Sequence, residues 1–137
     1  MSFAARVVPS AQGLAAEFYA HCARGELRIQ RCTDCGAWRH PPRVMCARCG
    51  SERWQWTPTS GRGRLYTWTV THQALVPAFA DDVSYAVAVV QLEEGVRLVT
   101  AVTGTAPAAL EIGMPLEVAF VEAAEGVGLH HFRSRPA

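Results

Sequence analysis

The sequence predicts a mainly β protein: an N-terminal helix, then a cysteine-built metal ribbon, then a small five-stranded barrel. Three observations carry that reading. Cys32, Cys35, Cys46 and Cys49 form two Cys-x2-Cys pairs, each closed by a glycine, Gly36 and Gly50. From Gly61 onward, short runs rich in β-branched and aromatic residues are separated by glycine turns, which is how strands are written. Ahead of the cysteines stands one apolar stripe at helical spacing. The expected parts are residues 1–25, a helical segment; 26–58, the ribbon; and 59–137, the barrel.

In the first part Leu14, Phe18 and Cys22 recur every fourth residue with Ala15 and Tyr19 beside them. This is one face of a helix, with Ser10 as the expected N-cap and Gly25 as the C′ glycine. Cys22 falls on the apolar stripe and reads as a small buried hydrophobe, not as a fifth ligand or a nucleophile.

Glu26 to Arg31 alternates and leads directly into Cys32, so it reads as a strand entering the first knuckle. Two residues between sulfurs let one tight turn aim both at a single ion, and two such turns complete a tetrahedron. Four soft thiolates leave no open position for water or substrate, so Zn²⁺ fits and the site is structural. The same cysteines serve disulfides or tetrathiolate iron in other proteins. Against disulfides, Met1 to Pro9 has no long apolar core of a secretory leader. Pro41 and Pro42 exclude helix between the knuckles, and His40 reads as a surface residue or as one that supports the ligands of a filled metal sphere. Trp54 and Trp56, two apart on an extended chain, share a face.

Five strands are expected in the third part: Leu65 to His72, Ser84 to Leu92, Val96 to Thr103, Pro115 to Val121 and Gly128 to Arg133, with a turn over Ala106 to Gly113. A long, glycine-led first strand and a linker between the third and fourth suit a closed barrel of oligonucleotide/oligosaccharide-binding (OB) topology. A five-stranded open sandwich is the competing architecture.

Charge narrows the function. The net charge of +1 argues against a protein built mainly to hold nucleic acid. It conceals an asymmetry, however. Nine arginines from Arg24 to Arg64 face Glu26, Asp34 and Glu52, a formal +6, whereas from Leu65 onward three arginines face eight acids, a formal −5. A Zn²⁺ with four thiolates carries −2, so part of the arginine excess is counter-charge. No apolar run approaches the ~20 residues of a membrane span, and a cytoplasmic protein is expected.

No Gly-x-Ser-x-Gly, phosphate loop or His-Glu-x2-His occurs. His72, Asp81-Asp82 and His130-His131 are the nearest candidates for chemistry. Adjacent histidines on a strand point to opposite faces, so the last pair does not chelate one ion. Leu75, Val76, Pro77, Ala78 and Phe79 form an apolar cluster in a loop, read either as a partner surface or as a plug folded over the barrel mouth. Arg43, Arg62 and Arg64 suit the phosphates of coenzyme A or the acids of a partner. They equally suit a nucleic-acid backbone, with Trp54, Trp56, Tyr66 or Trp68 stacking bases.

The order of parts resembles a known family. A helix, then Gly25-Glu26-Leu27 and Gln30-Arg31-Cys32-x2-Cys35-Gly36, then Pro41-Pro42-Arg43-x2-Cys46-x2-Cys49-Gly50, is similar to the rubredoxin-like ribbon of the thiolase-associated zinc-ribbon/OB-fold family, domain of unknown function thirty-five. Ser60-Gly61-Arg62-Gly63, Val90-Gln91-Leu92-x2-Gly95-Val96-Arg97-Leu98, Ile112-Gly113-Met114-Pro115-Leu116 and Phe132-Arg133 resemble its barrel. The resemblance implies a rubredoxin-like zinc ribbon with structural Zn²⁺ on the four cysteines, followed by a five-stranded OB-fold barrel. It also implies a non-catalytic subunit that docks on a thiolase-like aldolase or acyltransferase, in some cases with a MaoC-like hydratase. Such a subunit helps form or channel an acyl-CoA site, most of all in steroid or lipid side-chain degradation. The alternative from another class is a single-stranded nucleic-acid-binding OB-fold protein; a direct acyl-CoA binder is a third. The residues expected to meet substrate or partner are Arg43, Arg62, Arg64, His72 and Phe79.

Overall fold

A computed structural model describes residues 8 to 136; most of the Met1 to Pro9 stretch read for a leader lies outside the described residues. Helix α1 (Gly13–Ala23) starts later than the sequence predicts. Its N-cap is Gln12, which makes no side-chain cap bond, because Gly13 at φ +60° turns the chain sharply and prevents the helix from reaching back to Ser10. The C-terminal expectation is met. Gly25 lies at φ +75° and its N–H donates to the Cys22 carbonyl, a left-handed stop.

The ribbon is a three-stranded antiparallel sheet in the order β2 (Trp38–Arg39), β1 (Arg28–Cys32), β3 (Trp54–Pro58). Its central strand is buried on both faces, which simple alternation does not foretell: Ile29 joins the main core on one side and Gln30 is enclosed under the second knuckle on the other. Trp54 and Trp56 do share a face, with ring centroids 5.1 Å apart and edge to face. The Trp56 indole N–H donates to Glu17 of α1.

The barrel strands are β4 (Arg62–Thr71), β5 (Tyr85–Leu92), β6 (Arg97–Thr100), β7 (Val102–Thr103), β8 (Pro115–Ala124) and β9 (Val127–Ser134), in the order β6-β5-β4-β8-β9-β7. The third expected strand is thus broken at Ala101. Its first half pairs antiparallel with β5 and its second half pairs parallel with β9. The two ends of the sheet are therefore consecutive pieces of one strand, so the sheet curls through Ala101 instead of closing along a hydrogen-bonded seam. The Phe132 N–H donates to the Ala101 carbonyl at that corner. A bulge between Leu65 and Thr67 bends β4, as a strand crossing a curled sheet needs.

One core joins all three parts: Phe18 and Cys22 from α1, Leu27 and Ile29 from the ribbon, and Leu65, Val90, Leu98, Leu116 and Phe132 from the barrel. Burying Leu27 and Ile29 is worth ~1.5–3 kcal/mol each, which ties the ribbon to the barrel. The helix also lies directly on β9. A Cβ built on Gly128 would sit 2.4 Å from the Ala23 nitrogen and 2.5 Å from the Cys22 carbonyl carbon, so only glycine fits there. Burial holds the Cys22 thiol up at about 12, so it stays neutral, as expected of a packing residue. No described helix is long and apolar enough to cross a membrane.

Candidate metal centre and the faces around it

Strand β1 delivers Cys32 into the first knuckle, and the loop after Pro42 delivers Cys46 into the second. The two turns are built alike. The Gly36 N–H donates to the Cys32 carbonyl and the Gly50 N–H to the Cys46 carbonyl, while the Cys32 and Cys46 N–H groups donate to the Ala37 and Ser51 carbonyls. Gly36 and Gly50 take φ +76° and +75°, which permits the turn.

The four sulfurs lie within 4.8 Å of one another, with Cys32–Cys49 and Cys35–Cys46 both at 3.6 Å. A tetrahedron with metal–sulfur bonds of about 2.3 Å has edges of about 3.8 Å, so this arrangement fits a metal ion. It does not fit disulfides, and all four cysteines are free thiols. Backbone N–H groups point at the sulfurs. Those of Cys49 and Arg48 hold Cys46 down at about 6, and that of Cys35 lowers Cys32. Cys32 and Cys46 thus favour thiolate, the form that ligates metal, whereas Cys49, against the bond from the Ser51 N–H, is pushed up to about 12 by burial and the three neighbouring sulfurs.

Cations and clasps surround the centre. The Arg31 guanidinium donates to the Gly36 carbonyl at 3.0 Å and lies 4.7 Å over the Trp38 ring. Arg53 donates to both carboxylate oxygens of Asp34, which also accepts from the Ser51 hydroxyl. Those bonds, from Arg53 first and then Ser51, hold Asp34 below the usual carboxylate range. The first knuckle is in this way laced to the residues that follow the second.

A network that the sequence did not signal holds the second knuckle. Gln30 is fully buried; it accepts the Arg43 N–H at 2.7 Å and donates to the Arg43 carbonyl at 2.9 Å. Buried Arg39 donates to that same carbonyl at 3.1 Å, to Gln30 Oε1 at 3.2 Å and to the Val44 carbonyl at 3.4 Å. Gln30 falls on the polar face of the alternating run Glu26 to Arg31, so alternation alone predicts it exposed.

His40 corrects its reading as a surface residue. Its ring packs 4.8 Å from Phe18 and 6.0 Å from His130, whose own ring is 5.1 Å from Phe18. The two histidines therefore sit at the junction of ribbon, helix and barrel. Burial, followed by the neighbouring His130, pulls His40 down to about 4. Burial pulls His130 to about 4 as well, against the bond it makes to the Val99 carbonyl. Both are neutral near pH 7. His130 and His131 point to opposite faces, as strand geometry requires, and His131 is buried.

The five residues expected to meet substrate or partner do not converge. Arg43 exposes its side chain on the ribbon while its main chain is pinned. Arg62 is occupied by Glu93 at 3.0 and 3.2 Å. Arg64 donates to the Gly113 carbonyl at 2.9 Å and borders a cleft of about 610 Å³ with Tyr66, Gln91, Ile112 and Arg135. His72 lies past the far end of β4, eight residues beyond Arg64 and at most about 26 Å from it at strand rise. There its Nδ1 and the Ser84 hydroxyl are 2.6 Å apart, fastening the two ends of the apolar loop. The loop divides the two readings made of it. Phe79 folds back to 6.3 Å from Tyr85, whereas Leu75 and Val76 stay exposed.

Comparison with known proteins agrees with this architecture. Residues 20–55 match the profile of the ChsH2 rubredoxin-like zinc ribbon domain, and residues 56–121 match that of the ChsH2 C-terminal OB-fold domain. A solved structure titled "Ltp2-ChsH2(DUF35) aldolase" superposes with a TM-score of 0.82 at 39% identity, covering 92% of this chain and 98% of that one. The chain belongs to the ChsH2-type DUF35 family. This DUF35 chain is also 44% identical over 107 residues to a probable enoyl-CoA hydratase alpha subunit of Thermomonospora curvata, covering 78% of this chain and 33% of that protein. It is 36% identical over 114 residues to the 3-oxo-4,17-pregnadiene-20-carboxyl-CoA hydratase alpha subunit of Mycobacterium tuberculosis, covering 83% and 36%. The DUF35 chain thus spans about a third of the length of these curated relatives.

Proposed function

We propose that the chain is a non-catalytic subunit that docks on a thiolase-superfamily aldolase or acyltransferase and helps form its acyl-CoA site, in steroid or lipid side-chain degradation. The observation that carries this reading is the end-to-end match to the DUF35 chain of an Ltp2-ChsH2 aldolase, at an identity well above that of mere fold likeness. The hydratase relatives add a second association with acyl-CoA chemistry. In this reading the reacting groups belong to the partner. The cleft bordered by Arg64 and Arg135 is where this chain offers cations to the anionic end of an acyl-CoA.

The metal in this reading is Zn²⁺ held by Cys32, Cys35, Cys46 and Cys49, and its work is structural. The ion supplies the folding energy of a ribbon too small for a core of its own. Metal analysis tests this: one zinc per chain and a colourless protein support it, and a visible thiolate-to-iron absorption rejects it.

Single-stranded nucleic-acid binding is less well served. Trp56 and Trp68 are half-buried against the core, Trp54 stands edge to face on Trp56, and Arg97 covers one face of the exposed Tyr66 ring at 3.8 Å, so few free ring faces are left for the stacking such binding requires. The test of the proposed function is co-expression with an Ltp2-type subunit. A stable complex is expected, together with no acyl-CoA turnover by this chain alone. Micromolar oligonucleotide binding with a steep salt slope, and no complex, would instead favour the nucleic-acid reading.

A further inference from the structure

Resting on that function, we propose that the segment Arg43 to Arg48, the loop that runs into the second knuckle, is a preorganised plug that seats in an apolar, carboxylate-rimmed groove of the enzyme partner. Val44 and Met45 are 63% and 53% exposed, on a ribbon whose other large apolar side chains are buried or packed. Arg43 and Arg48 flank them and are exposed. Neither guanidinium forms an ion pair among the described residues.

The loop is exposed but not loose. Gln30 and Arg39, both buried, direct four hydrogen bonds to the main chain of Arg43 and Val44. Water could serve the Arg43 and Val44 carbonyls of an exposed turn, so the bonds to them are not needed for satisfaction alone. What the network adds is a fixed direction for the Val44 and Met45 side chains. A surface held in its bound shape binds more tightly because less ordering is left to do. Cys46 lies within the segment, directly after Met45, so a bound metal would anchor its other end.

The first knuckle makes the contrast. Its tip carries Thr33 and Asp34, and Asp34 is tied inward by Ser51 and Arg53. That tip is polar and self-satisfied, whereas the loop running into the second knuckle is apolar at its centre and cationic at its flanks, with no ion pair to either arginine among the described residues. The complementary surface is an apolar groove edged by Asp and Glu, with the arginines supplying steering and bidentate rim contacts. A nucleic-acid partner fits less well, because a phosphate track gains nothing from two large apolar side chains at its centre.

The test uses the full chain co-expressed with an Ltp2-type subunit. Val44→Ser/Met45→Ser is expected to weaken the complex at least tenfold, mainly through faster dissociation. Arg43→Glu/Arg48→Glu is expected to slow association and to remove most of its salt dependence. Val44→Ser/Met45→Ser should keep one metal per chain and an unchanged thermal midpoint, and Arg43→Glu/Arg48→Glu, which places acids beside the thiolates, is compared at saturating zinc with its metal content measured. Leu75→Ser/Val76→Ser serves as the control on the other apolar surface. If that control abolishes the complex while both plug variants bind like wild type, the plug is wrong and the docking function stands. If the wild-type chain forms no complex at all, the proposed function falls and the plug with it. Concentration-dependent dimers that the Val44 and Met45 changes dissolve would overturn the proposal in favour of a second copy.

Discussion

Gln30→Ala gives the sharpest reading of what holds the ribbon. The side chain is fully buried and makes three hydrogen bonds, two with the Arg43 main chain and one from Arg39. Truncation strands the Arg43 N–H outright and takes one partner from a buried guanidinium that already has an unpaired nitrogen, Nη1. The Arg43 carbonyl keeps its bond from Arg39. One stranded donor costs ~1–3 kcal/mol and a lost bond to a charged group ~1.5–3, which partial entry of water reduces to about 3 kcal/mol in all. Because ribbon and barrel share a core, this lowers the melting midpoint by roughly 9 °C, at about 3 °C per kcal/mol for a chain of this size. Thermal unfolding with metal bound measures it, and amide exchange at Arg43 and Val44 localises it. Gln30→Leu restores volume without the bonds and should not rescue the loss. A Leu variant as stable as wild type, with Arg43 still protected, would refute the reasoning.

Other perturbations test other joints. Cys46→Ser should remove metal and expose residues 32 to 49 to hydrogen exchange while the barrel strands stay protected; loss of barrel protection at the same rate would show that the ribbon has no separate unfolding step. Gly128→Ala should cost about 3 kcal/mol in denaturant unfolding, since the new methyl meets helix backbone that cannot step aside; a neutral result would contradict the close packing of α1 on β9. His40 and His130 titrate near 4 when folded and near 6.5 when unfolded. The unfolded chain therefore binds more protons, and their contribution is complete above pH 6.5 and lost as pH falls toward 4. The loss is at most about 3 kcal/mol for each histidine. His40→Phe should flatten that decline, with metal content followed in parallel, and an unchanged slope would show that His40 is not buried neutral.

Much of this was legible because it is local. The Cys-x2-Cys spacing with its glycines, the stop at Gly25, the shared face of Trp54 and Trp56 and the neutral burial of Cys22 all depend on residues near each other in sequence. The features that escaped depend on distant partners. Ser10 looked like a cap until the turn at Gly13 displaced the helix start. His40 looked exposed because nothing in its neighbourhood announces Phe18 and His130. The break at Ala101 arises because two different strands compete for one, a property of the curled sheet and not of Val96 to Thr103 itself. Gln30 was the hardest, since alternation says which residues share a face but not that the second face is also covered. Arg62 had the right chemistry for an anion, and Glu93 had already taken it.

The most direct measurement is size-exclusion chromatography with mass determination on the zinc-loaded chain co-expressed with an Ltp2-type aldolase subunit, followed by acyl-CoA assays of each component. One stoichiometric complex is expected, active as a whole, with this chain alone inert. Two separate species, or acyl-CoA turnover by this chain by itself, would contradict it.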